Sequence, residues 1–250
     1  MIDRHTKILE YLTENKKVEV TKISEILNVS QVTIRKDLDQ LENLGLVKRE
    51  HGFAKLNSSD DLNSRLAYHY DVKLKIAEQA RELVEDGETI MIESGSCCAL
   101  VASEIATSKK DVTIITNSAF IADYVRKLPD TKIVLLGGDY QNESQVMVGP
   151  ITRRCAETFF VDKLFIGTDG YSEKAGFTGN DYMRAETVRD MAKQAENVVV
   201  VTESTKFHHK GVVSLLPTSQ ISMLITDREI PLEIEERFIQ QNIKVLKVAE

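Results

Sequence analysis

The spacing of apolar residues changes period near residue 57, and this limits the folds open to the chain more than any other feature. Before that point the pattern is helical. Ile8 and Leu12 stand one turn apart, Ile23, Ile26 and Leu27 follow, and Ile34, Leu38 and Leu41 fall at i, i+4, i+7. Three short helices so closely spaced can close only a small core. After residue 57 comes a polar stretch, Asn57–Ser64, and then a helical pattern near Asp71–Glu85 with Leu74, Ile76, Ala77, Ala80 and Leu83 on or near one face. From there β-branched runs alternate with helix-like segments: Thr89–Ile92, Val112–Thr116, Lys132–Leu136, Lys163–Ile166, Asn197–Val201, Met223–Thr226 and Ile243–Val248. Continuous apolar strands between helices indicate a mostly parallel sheet covered on both faces. The organisation expected is a helical domain over 1–57, a linker over 58–72 and an α/β domain over 73–250, a division that 250 residues can accommodate.

Charge is distributed unevenly. The net charge is −7 overall, but +1 up to Asn57 and −8 thereafter. A protein that coats nucleic acid indiscriminately is excluded, and any DNA contact must come from the placement of charges. The N-terminus carries Asp3, Arg4 and His5 and no apolar signal core, and the longest apolar runs are too short to cross a bilayer. A cytoplasmic protein with no membrane partner is expected. Three cysteines, Cys97, Cys98 and Cys155, are too few for a disulfide framework and lack zinc-ligand spacing. No metal site and no cofactor is expected, and the thiols are read as reduced.

Placement is informative in the first domain. Val20–Ser30 reads as a helix and a tight turn, with Thr21 and Ser30 as N-caps of successive helices. The second helix runs from Gln31 to about Leu44, and Gly45 stands where a helix ends. At 100° per residue Ile34, Leu38 and Leu41 face inward. Val32, Thr33, Arg35 and Lys36 point outward, or flank that face, in the first two turns. A recognition helix presents this end to the major groove. Arg35 and Lys36 suit guanine or phosphate, Gln31 suits adenine, and Val32 and Thr33 suit a thymine methyl. Beyond Gly45, apolar residues flank the Lys48–Arg49 pair and a His51–Gly52 turn, which suits a basic β-hairpin wing. A three-helix protein-interaction module with solvated charges is the competing reading.

With these residues in view, the chain resembles the DeoR-type, glycerol-3-phosphate repressor-like family. The likeness lies in Val29-Ser-Gln-Val-Thr-Ile-Arg-Lys-Asp-Leu-Asp-Gln-Leu-Glu-Asn-Leu-Gly45 followed by Lys48-Arg-Glu-His-Gly52; Phe53 stands where the family usually has a second glycine. It continues through Arg65, Lys73, Ile76 and Ala77, Glu93–Cys98, Thr116-Asn117, Gly137-Gly138, Gly167–Gly170, Glu186 and Ser204-Thr-Lys206, and so covers nearly the whole chain. The resemblance implies a winged helix-turn-helix joined to an α/β domain similar to ribose-5-phosphate isomerase, binding of a sugar phosphate without turnover, and association into a homodimer or homotetramer.

The second domain's own chemistry points to the same loops. In parallel sheets ligands bind beyond the carboxyl ends of the strands. Glu93-Ser-Gly-Ser96 follows a strand and opens a helix, where free backbone N–H groups favour an anion. Ser94 and Ser96 add hydroxyls, and Gly95 permits close backbone approach. Lys206, just past Val198–Val201, suits phosphate. Glu93, Asn117, Asp169 and Glu186 are candidates for sugar hydroxyls, with Gly170 beside Asp169; Gly137 is a weak candidate in a turn. Cys97 and Cys98 replace the family's usual threonines. A helix N-terminus favours some thiolate character there, although small buried packing residues are the weightier reading. His208-His209 reads as a surface loop rather than a metal pair. The function expected is a repressor of a carbohydrate-utilisation operon, with double-stranded operator DNA and a small phosphorylated sugar as partners. The alternatives are a sugar-phosphate isomerase with an accessory helical module, for which a carboxylate near a phosphate site could act as base, and a scaffold that uses its helices for protein contacts.

Overall fold

The computed structural model describes residues 3–15, 17–43, 46–56, 62–128 and 131–249. The chain divides into two compact units, Met1–Asp71 and Val72–Glu250. The expected helix end at Leu44–Gly45 and the first part of the polar stretch, 57–61, lie outside the described residues.

The first unit contains α1 (Asp3–Asn15), β1 (Lys17–Glu19), α2 (Val20–Ile26), α3 (Gln31–Asn43), β2 (Val47–Glu50), β3 (Phe53–Leu56) and α4 (Leu62–Ala67). The strands form an antiparallel sheet in the order β1-β3-β2. Ile8, Leu9, Leu12, Ile23, Ile34, Leu38, Leu41, Leu46 and Ala54 are buried in its core. Two expectations are corrected here. Ile26 is 50% exposed, because the buried seam of α2 runs through Val20 and Ile23 and the helix ends at Ile26. Thr21 does not cap α2; the cap position is Glu19, and the Thr21 hydroxyl donates to the Glu19 carboxylate at 3.1 Å. Leu62–Ala67 is helical, so the span read as linker carries structure from residue 62 onward.

The boundary between units falls within the first turn of α5 (Tyr70–Arg81). The second unit continues with β4 (Thr89–Ile92), α6 (Ser96–Ser108), β5 (Val112–Thr116), α7 (Ala119–Val125), β6 (Thr131–Leu135), β7 (Asp139–Gln141), β8 (Val146–Val148) and α8 (Pro150–Ala156). Then follow β9 (Val161–Ile166), β10 (Gly170–Ser172), β11 (Gly176–Gly179), α9 (Tyr182–Ala192), β12 (Ala195–Val201), β13 (Val213–Leu216), β14 (Met223–Asp227), α10 (Leu232–Gln240) and β15 (Lys244–Val248). Seven strands make one parallel sheet in the order β15-β14-β12-β9-β4-β5-β6. Successive residues of β4, β9 and β12 are buried, as strands covered on both faces require. The expected seven runs are these strands, with ends shifted by up to two residues. The short antiparallel elements, β7 with β8 and β10-β11-β13, were not expected. In α5 the buried seam is Lys73, Ile76, Ala77 and Ala80, whereas Leu74 and Leu83 are half-buried. The rings of Tyr171, Phe177, Phe207 and Phe238 pack together at centroid separations of 5.2–6.5 Å.

This strand order positions the site. From β4 the chain moves to β5 and β6 on one side, then returns to β9 on the other. The sheet therefore has its topological switch point between β4 and β9, and the carboxyl ends of these strands are where sheets of this kind bind ligands.

Candidate functional sites

In the first unit Ser30 caps α3: its hydroxyl accepts from the Thr33 N–H at 3.2 Å and lies 2.9 Å from the Thr33 hydroxyl. The cap holds the start of α3 with Gln31, Val32, Arg35 and Lys36 exposed and Thr33 half-buried. Val32 is 61% exposed. Neither Arg35 nor Lys36 makes an ion pair among the described residues. The wing turn is His51–Gly52, with φ of +41° and +87° and Glu50 paired to Phe53. Positive φ at both central residues is the two-residue hairpin geometry that suits the twist of the strands. Phe53 begins β3, and the Lys17 ammonium lies 4.9 Å from its ring centroid. Lys48 is exposed, whereas Arg49 is tied to Asp39 of α3 through its guanidinium and to the Glu42 carboxylate through its N–H. Arg49 thus couples the wing to α3.

One residue of this unit was missed. Asp37 is buried and receives a two-pronged hydrogen bond from Arg4, at 2.5 and 2.8 Å, with His5 Nε2 at 3.2 Å. Burial pushes its carboxyl up, but the Arg4 and His5 hydrogen bonds outweigh that and hold it below the usual range. Its signal was legible in part, because 34, 37, 38 and 41 are one helical seam.

In the second unit the switch point gathers several expected residues. Glu93 and Ser94, just past β4, are buried. The Glu93 N–H donates to the Phe165 carbonyl of β9 at 2.9 Å. The Ser94 hydroxyl donates to Glu93 Oε1 at 2.6 Å. Burial pushes the Glu93 carboxyl above the usual carboxylate range; nearby Arg184 and Ser94 pull it back, and Asp169 adds to the rise. Asp169, past β9, accepts from the Asn180 N–H at 3.1 Å. Gly95 precedes α6 at φ +119°, a conformation L side chains rarely adopt, and provides no side-chain cap. The first N–H groups of α6, beginning at the half-buried Ser96, are left without one.

Cys97 and Cys98 are buried in this first turn. Burial pushes the Cys97 thiol up to about 12 and the Cys98 thiol also well above its ordinary value. The expected thiolate tendency is therefore corrected: desolvation exceeds the pull of the helix terminus. Glu203 adds to the rise of Cys97, Lys73 and Lys206 oppose it and Asp227 adds a little more, so charges of both signs surround the start of α6. Lys206 is half-buried in a 3₁₀ turn, Ser204–His208. Lys73 is fully buried, with its ammonium 3.4 Å from Glu203 Oε2; burial pushes its pKa down against the pull of Glu203.

The remaining candidates have contacts of their own. Asn117 is buried and its amide donates to the Met147 carbonyl at 3.0 Å, tying the end of β5 to β8, while its Oδ1 has no partner among the described residues. Gly137 is exposed, beside Cys155 of α8. Gly170 runs against the backbone of His209, which explains the glycine by packing. Glu186 is 45% exposed and paired with Arg189. Two residues earlier on the same helix, Arg184 reaches the switch point instead: its guanidinium lies 3.3 Å from the Ser94 hydroxyl and 3.9 Å from Glu93. Nothing local in the sequence marked Arg184, whose partner lies ninety positions away. No group of metal-ligating side chains occurs among the described residues, and no helix there is long and apolar enough to cross a membrane.

Comparison with known proteins decides the family. Residues 68–228 match the DeoR C-terminal sensor domain, and residues 4–60 match the DeoR-like helix-turn-helix domain. The chain belongs to the DeoR family. Among similar DeoR-family proteins, the HTH-type transcriptional regulator GolR of Listeria innocua is 29% identical over 99% of this chain and 98% of its own length. The glycerol-3-phosphate regulon repressor of Escherichia coli is 26% identical over 97% of each chain. Among solved structures, ribose 5-phosphate isomerase A of Methanocaldococcus jannaschii overlaps 55% of this chain and 54% of its own, with 21% identity and a TM-score of 0.41. This DeoR-family chain is a transcriptional regulator and not an enzyme, so the isomerase and scaffold readings lapse.

Proposed function

We propose that this regulator represses a carbohydrate-utilisation operon and releases its operator when a phosphorylated sugar binds the switch-point crevice. One observation carries the sensing half: the uncapped start of α6 follows directly on the buried Glu93 and Ser94 at the end of β4, beside β9 and the Asp169 that follows it, with the half-buried Lys206 in the 3₁₀ turn after β12. Helix N–H groups and Lys206 suit a phosphate; carboxylates accept from sugar hydroxyls. Ser94, Gly95, Ser96 and the backbone of Cys97 and Cys98 complete the phosphate end. In the first unit Gln31, Val32, Thr33, Arg35 and Lys36 enter the major groove, with Ser30 holding the helix start and Lys48, Arg49 and His51 beside the DNA backbone. The protein works in the cytoplasm as a homodimer or homotetramer, so that winged helices meet repeated half-sites.

The name of the glycerol-3-phosphate regulon repressor supports a phosphorylated polyol as the ligand class. The test is release of the full-length protein from its own promoter fragment by pentose, hexose, hexitol and glycerol phosphates. Release by one of them, with no effect of its unphosphorylated form, is the expected result. No change in DNA affinity or thermal stability with any of them would overturn the reading.

A further inference from the structure

Arg184 is the residue that neither the family match nor the sequence assigns, and its surroundings are unusual. Asp181 caps α9 by accepting from the Arg184 N–H at 2.7 Å, which fixes the backbone from which the side chain departs. The side chain is 20% exposed, yet its Nε is buried with no hydrogen-bond partner among the described residues. An unmade hydrogen bond on a buried charged donor is costly. Its natural counter-charge, Glu93, is 3% exposed, but the two do not close into the short forked pair that guanidinium and carboxylate prefer. They stand 3.9 Å apart, with the Ser94 hydroxyl donating to Glu93 and lying 3.3 Å from Arg184. Donor and acceptor are held side by side and incompletely paired, at the switch point of the sheet.

We infer that Glu93 and Arg184 form an acceptor–donor clamp for two neighbouring hydroxyls of the effector's polyol chain, and that Arg184 determines which sugar phosphate is accepted. One hydroxyl donates to Glu93; the oxygen of the next accepts from the guanidinium. Phosphate is left to the α6 N-terminus and Lys206, so the clamp reads the part of the ligand in which sugar phosphates differ. The inference rests on the sugar-phosphate reading above.

The experiment titrates full-length wild type, Arg184→Met and Arg184→Lys with ribose 5-phosphate, fructose 6-phosphate, galactitol 6-phosphate and glycerol 3-phosphate, measuring heat of binding, with circular dichroism to check folding. The expected result is that Arg184→Met weakens the accepted sugar phosphate by about tenfold or more, as loss of a hydrogen bond to a charged group does, and flattens the ranking among the four. Arg184→Lys keeps the charge without the fork, so the ranking flattens while less affinity is lost; it also serves should the methionine variant not fold. Unchanged affinity and ranking would overturn the inference. So would an equal loss for all four compounds, because Arg184 would then serve the phosphate they share. If wild type binds none of the four, the sugar-phosphate reading fails and the clamp fails with it.

Discussion

Asp37 and Glu93 are both buried carboxylates, and their surroundings shift them in opposite directions. Asp37 is held below the usual range, chiefly by Arg4 once the cost of burial is met. The stability it contributes is therefore present above the ordinary carboxylate range, about pH 4, and is lost as pH falls through its lower native value. Asp37→Asn is expected to destabilise the first unit by about 1.5 kcal/mol, as weakening hydrogen bonds to a charged group does. The variant should also lose this part of the acid dependence; hydrogen exchange of α1–α3 amides across pH reads both. Glu93 is raised, chiefly by burial, so its ionisation costs the folded protein, and stability rises as pH falls through its raised native value towards the ordinary carboxylate range. Glu93→Gln is expected to raise the melting temperature of the free protein by about 2–4 °C while weakening the effector, the trade-off expected where a strained site is kept for function. A lower melting temperature in the free protein would show that Glu93 is structural. Arg35→Ala is expected to weaken operator binding by about tenfold or more with the helical circular dichroism unchanged; unaltered affinity at physiological salt would refute the recognition-helix assignment.

Among the elements, α3 and α5 each have one charged residue on an apolar seam, Asp37 in the first and Lys73 in the second. The spacing that defines both helices was legible, but the seams were read as apolar, because charged residues are almost never fully buried unless paired. What makes these two tolerable is a partner far along the chain, Arg4 for one and Glu203 for the other. No local pattern discloses such a partner. The same reason hid Arg184 of α9, whose neighbour Ser94 sits past the end of β4. The parallel strands were plain as β-branched runs, whereas β7, β10 and β11 contain Asp-Tyr-Gln, Gly-Tyr-Ser and Gly-Phe-Thr-Gly. These have no apolar run, and pairing alone makes them strands. Lys73→Ala leaves Glu203 buried without its cation and is expected to lower stability by about 3–5 kcal/mol. Adding Glu203→Gln should recover much of that loss in urea unfolding; no recovery would mean that the pair does not act as one unit.

Over the whole molecule, two compact units differ in character: one carries exposed cations on a capped helix, the other carboxylates and an uncapped helix start at the switch point of a parallel sheet. If effector and DNA favour different arrangements of the same protein, each must weaken the other by the same factor. Lys206→Ala should then hold the operator as wild type does but respond poorly to the effector; undiminished release would put the phosphate elsewhere. Effector control of DNA binding is read from the affinity of the full-length protein for its own promoter fragment, at fixed salt, with and without saturating sugar phosphate. At least one phosphorylated sugar or polyol is expected to lower that affinity by about 5–150-fold, the usual range of allosteric coupling, and DNA to lower the protein's affinity for it equally. Equal DNA affinity with every phosphorylated sugar that binds would contradict it.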